Sequence, residues 1–82
     1  MLARAYILLH VSDGSADHVV QSLRGKPGVV FADLLEGPPD VIMMVEADDR
    51  LKLAELATRA IASVESLAEV IRVLPSLEGL NP

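Results

Sequence analysis

The 82-residue chain has no cysteine, and its only aromatic residues are Tyr6 and Phe31. Without cysteine it can hold neither a disulfide framework nor a thiolate-bound metal. Since 51% of the chain is hydrophobic, its core must be built from Val, Leu, Ile, Ala and Met. Positive charge is also scarce, with seven Lys and Arg against twelve Asp and Glu and a net charge of −5. The basic residues Arg4, Arg24, Lys26, Arg50, Lys52, Arg59 and Arg72 are scattered. That argues against the basic patch a direct nucleic-acid contact requires. No hydrophobic run approaches the roughly 20 residues of a membrane-spanning helix. The apolar opening Met1–Val11 contains Arg4 and His10 and has no small-residue cleavage site after it, so it does not read as a signal peptide. The expected location is the cytoplasm.

A chain of this length allows one domain, spanning 1–82, with a modest core that often gains stability by oligomerising. Residues 2–11 form an apolar strand that ends in the turn chemistry of Ser12-Asp13-Gly14. Ser15 reads as an N-cap. After it Ala16, Val19, Val20 and Leu23 make the stripe of an amphipathic helix that stops at Gly25. Residues 29–36 and 41–46 read as strands, separated by a turn at Gly37-Pro38-Pro39-Asp40 where two prolines interrupt pairing. Asp48 or Asp49 caps a second helix over 49–64, with Leu53, Ala57, Ala60, Ile61 and Val64 inward and Arg50, Lys52, Glu55 and Arg59 outward. Residues 67–74 form the last strand, ended by Pro75, and a short tail follows. The order is βαββαβ. It predicts an α+β, ferredoxin-like fold: a four-stranded antiparallel sheet with two helices on one face.

Such a sheet has one wet face and should alternate apolar with polar residues. These strands do not. The first puts Ala3, Ala5, Ile7, Leu9 and Val11 on one face, and Tyr6 and Leu8 on the other, where His10 ends it. In the third, Val41, Met43 and Val45 oppose Ile42 and Met44. Two helices cover one side only, and soluble monomers seldom expose an apolar patch of that size. Burying five such side chains stabilises by about 1.5–3 kcal/mol each, before the cost of association. The pattern predicts a homodimer that packs sheet to sheet about a two-fold axis, with Tyr6, Leu8, His10, Ile42 and Met44 at the interface. The alternative cover is the tail, Ser76–Pro82, which is short and polar.

Few residues offer chemistry. Gly37 and Asp40 could present turn N–H groups to a carboxylate and an Asp carboxylate to an ammonium group. They could equally form a plain hairpin turn in which Asp accepts local backbone bonds. His10 could act as a general base, but an interface histidine is the simpler reading, and His18 sits in a first helical turn facing water. Two histidines without carboxylate spacing make no metal site. Met43 and Met44 fit core and interface. There is no nucleophile elbow, glycine-rich phosphate loop or H-x-x-E pattern. No cofactor and no enzymatic activity are expected.

The order and spacing of several short motifs resemble the effector-binding domain of Lrp/AsnC-type transcription regulators over residues 3–74. These are Pro27-Gly28-Val29 opening the second strand, Gly37-Pro38-Pro39-Asp40 before the third, and Val45-Glu46-Ala47-Asp48-Asp49 closing it. The resemblance implies a small-molecule effector, often an amino acid, bound between dimers. It also implies sheet-to-sheet dimers joined into a ring such as an octamer. A stand-alone form without the helix-turn-helix would regulate transcription without touching DNA, possible partners being full-length regulators of the same family. On this reading the ligand-binding residues are Gly37, Pro38, Pro39, Asp40, Val70 and Arg72. Pro39 replaces the aromatic residue often found before the turn aspartate. Val70 and Arg72 stand where the family carries Thr or Ser, so Arg72 would either grip a carboxylate or mark a pocket that has lost its ligand.

Two other readings share the fold. One is a dimeric α+β barrel enzyme of the cofactor-free monooxygenase or isomerase kind, for which Tyr6 and His10 would be the catalysts. The other is an ACT-like regulatory module, which pairs sheets edge to edge and is disfavoured by the apolar open face.

Overall fold

The structure, a computed structural model, describes residues 2–77. The elements are β1 (Ala3–Val11), α1 (Ala16–Arg24), β2 (Val29–Leu34), β3 (Val41–Ala47), α2 (Arg50–Ala62) and β4 (Ala68–Leu77). The four strands form one antiparallel sheet in the order β2-β3-β1-β4, the ferredoxin-like arrangement.

β1 sets the pattern for the whole fold. Ala3, Ala5, Ile7, Leu9 and Val11 are buried, whereas Arg4, Tyr6 and Leu8 are half-buried and His10 is exposed. A period of two sends alternate side chains to opposite faces. Val41, Met43 and Val45 of β3 join the buried set. Against this face pack Val19, Val20 and Leu23 of α1 and Leu53, Leu56 and Ala60 of α2. Among the described residues no polar or charged side chain is buried, so the core is held by apolar packing alone.

α2 begins at Asp49, whose carboxylate accepts the Lys52 N–H at 2.7 Å. Ser15 occupies the corresponding position before α1, but its side chain makes no capping hydrogen bond. Gly25 ends α1 with an ordinary negative φ. The left-handed residue comes three positions later, at Gly28 with φ +84°. A Cβ there would lie 2.7 Å from Leu56 Cδ1, so the Pro-Gly turn needs glycine both for its backbone and for the close approach of α2. Leu56 is buried as part of this contact, a core position that the expected inward set did not include.

β4 also differs from expectation. It runs through Pro75, which pairs with Ala5, and reaches Leu77 opposite Ala3. Proline interrupts a strand only where its missing N–H was needed by a neighbour, and β4 is the edge of the sheet. Ser76 and Leu77 therefore belong to the sheet, and the rest of the expected tail lies outside the described residues.

Candidate functional site

The turn between β2 and β3 is pinned to the end of β1 through Asp40. Its N–H donates to the Leu9 carbonyl at 2.9 Å, and its carbonyl accepts the Leu35 N–H at 2.8 Å. Its side chain then turns onto β1. Oδ2 accepts the Val11 N–H at 2.9 Å and lies 2.9 Å from His10 Nδ1. Among the described residues Oδ1 has no hydrogen-bond partner. The Asp40 and His10 side chains are 30% and 58% exposed, so the pair is open to solute.

Gly37 sits at φ +73° with open space where a Cβ would be. Its backbone conformation, not crowding, makes glycine the fitting residue. Glu36 and Gly37 donate to no backbone partner among the described residues. Gly37 and Pro38 are exposed and Pro39 is half-buried. The turn thus combines free N–H groups with a carboxylate held in place by backbone, which suits a zwitterion carrying an anionic and a cationic end.

The register decides where Val70 and Arg72 lie. Leu9 faces Val70 and Leu8 faces Arg72, so Ile71 is an extra residue in the β4 strand. This irregularity reverses the parity of β4. Val70 joins the helix-side core, while Arg72 lies exposed on the other face. Asp40 and Arg72 flank β1 from opposite sides of the sheet order, Asp40 beside β3 and Arg72 on β4. The structure brings Asp40 and His10 together and leaves Val70 on the far side of the sheet.

Tyr6, Leu8, His10, Ile42 and Met44 all lie on the face away from the helices. Across the strands Leu74, Tyr6, Met44 and Phe31 form one row, and Arg72, Leu8, Ile42 and Asp33 the next. Met44 is only 9% exposed because Tyr6 and Phe31 flank it. Arg4 and Glu46 close one end with an ion pair at 3.0 Å. Sequence reasoning missed Phe31 and Leu74 in this patch. A register shift between Val29 and Phe31 turns Phe31 outward, and no residue type announces it. The His10–Asp40 pair was missed as well, since the two stand 30 positions apart in sequence and meet only because β1 and β3 are neighbours.

Among the described residues no group of three or more His, Asp or Glu is placed to hold a metal ion, and no helix is long and apolar enough to cross a membrane. A separate groove lies on the helix side between α2 and β4. Neither Tyr6 nor His10 lines it.

Residues 4–75 match the family model of the Lrp/AsnC ligand binding domain. No curated protein matches the chain. Among solved structures, a hypothetical protein, PHS023 of Pyrococcus horikoshii, is similar at 23% identity, with a TM-score of 0.82 over 95% of this chain and 93% of that one. FFRP-DM1 is similar at 26% identity, with a TM-score of 0.70 over 90% and 95%. A candidate antibiotic biosynthesis monooxygenase of Chloroflexus aurantiacus, 16% identical, gives a TM-score of 0.65 over 94% and 92%. The first and last of these likenesses, at 23% and 16% identity, are of fold only, and fold does not fix function.

Proposed function

The chain belongs to the Lrp/AsnC ligand-binding domain family, and from that premise we propose that it takes an amino-acid effector at the Gly37–Asp40 turn and assembles through its open sheet face. One observation carries the effector half: Asp40 is clamped by the Val11 N–H and His10 through a single carboxylate oxygen. The second oxygen remains for the ammonium group of a ligand, beside the N–H groups of the turn. Arg72, on the same face, offers a guanidinium to a carboxylate where a neighbouring copy brings the two closer. The apolar rows around Tyr6 and Leu8 support the assembly half. The particle is then a homodimer, and a ring such as an octamer when dimers associate. It acts in the cytoplasm as a regulatory module, touching transcription through full-length regulators of its family, while its acidic charge keeps it off DNA.

This reading assigns no catalysis. Tyr6 and His10, the catalysts an enzyme of the α+β barrel kind would use, lie on the face opposite the groove between sheet and helices.

The test is a melting-temperature screen across the amino acids. A ligand at ten times its Kd stabilises by about 1.4 kcal/mol, which raises Tm by about 5–10 °C in a domain of this size. Asp40→Asn keeps an acceptor for the Val11 N–H but removes the charge, and is expected to abolish the shift with little change in the basal Tm. If no amino acid moves the Tm of the unsubstituted chain, the effector half is wrong.

A further inference from the structure

β4 extends along the sheet edge beyond the reach of the helices. α2 packs over β3 and β1 and leaves the helix side of β4 uncovered from Val73 to Pro75, so Val73 is 46% exposed although it faces that side. The result is a groove of about 420 Å³, within the size range of small-molecule sites. Its walls are Ala54 and Ala57 of α2, Val73 and Pro75 of β4, and a floor of Ala5 and Leu53. The one charged residue lining it is Arg50. α2 starts just after β3 ends opposite Ala3, which is also opposite Leu77. Arg50 therefore stands at the Pro75 end of the groove and Ala57 at the Val73 end. Among the described residues the carboxylates pair with Arg4, His10, Arg24 and Lys52, and none pairs with Arg50.

An apolar trough with, at one end, a guanidinium that no carboxylate of the described residues pairs with is complementary to an amphiphilic anion. We propose that this groove binds a small monocarboxylate with an unbranched apolar tail, the carboxylate at Arg50 and the tail running along Ala54, Ala57 and Val73. Arginine suits the role because its planar fork matches a carboxylate. The small side chains Ala54 and Ala57 leave the space a tail needs. The site lies on the opposite side of the sheet from the Gly37–Asp40 turn and is independent of it.

The test is a titration of the full chain with sodium octanoate, followed by backbone amide NMR. Saturable shifts are expected at Ala54, Ala57 and Val73. From butanoate to octanoate, affinity is expected to rise by up to about fourfold per methylene. Octanol should bind the chain about tenfold more weakly than octanoate, the difference a charge-assisted hydrogen bond makes. Arg50→Gln should remove that difference. Ala54→Phe, a change at an exposed position, should fill the groove and abolish binding of both. Neither substitution should alter an amino-acid-induced Tm shift, which separates this site from the turn. The proposal is overturned if octanoate gives no saturable shift, or if binding survives Ala54→Phe. It is equally overturned if Ala54→Phe lowers the particle mass, which would make the groove a contact between copies. Coupled movement of the residue 78–81 amides with the groove in the ligand-free chain would assign it to the chain's own end, and would also overturn it.

Discussion

The two faces of the sheet are made from similar residues and reach different states. On the helix side Ile7, Leu9, Val41, Met43 and Val45 are wholly buried. On the other side Tyr6, Leu8, Phe31 and Ile42 remain half-buried and Leu74 is 40% exposed. The chain supplies two helices for one face and nothing among the described residues for the other. A two-sided apolar sheet with one-sided cover teaches that hydrophobic patterning specifies how many surfaces must be closed, not whether the same chain closes them.

Ile7 and Leu8 are neighbours on β1 that face opposite ways, so they give the strongest contrast. Ile7→Ala should cost about 2–5 kcal/mol, the range for large-to-small changes in a packed core. Urea unfolding measures it. Leu8→Ala, measured at a concentration too low for association, should cost well under half as much. Equal costs would erase the distinction between the faces.

Gly28→Ala probes how tightly the helix side is closed. The new methyl group meets Leu56, and the backbone stays in a conformation that alanine resists. A loss of about 1–3 kcal/mol is expected, and a smaller one when the same change is made in a Leu56→Ala background. A loss that Leu56→Ala does not relieve would mean that strain alone, not the approach of α2, demands glycine.

Asp49→Ala removes the α2 cap at Lys52 and should cost about 1 kcal/mol, read from the same unfolding curves. The Arg24–Asp33 pair is solvent-exposed on both sides. Arg24→Ala should change stability by about 0–1 kcal/mol.

Much of the helix side was legible in the sequence. The alternation of β1 and β3 and the stripe of Val19, Val20 and Leu23 follow directly from strand and helix periods, and a cap at Asp48 or Asp49 from residue type, the structure placing it at Asp49. What was not legible depends on pairing. The extra residue at Ile71 and the shift around Val30 change which face their neighbours take, and each is fixed by the partner strand. Pro75 looked like a terminus because its edge position is a property of the sheet order. At the candidate site, Gly37 and Asp40 were visible as turn chemistry. The clamp of Asp40 on Val11 and His10 was not, because it spans two strands that only the fold makes adjacent.

The open face carries the central claim, and particle mass tests it most directly. Sedimentation equilibrium at tens of micromolar should give at least twice the 8.8 kDa of the chain. Ile42→Lys places a charge in the apolar rows but opposite Asp33, so the fold should persist while the mass falls to that of one chain. An unsubstituted chain that sediments as a folded 8.8 kDa particle would contradict the account.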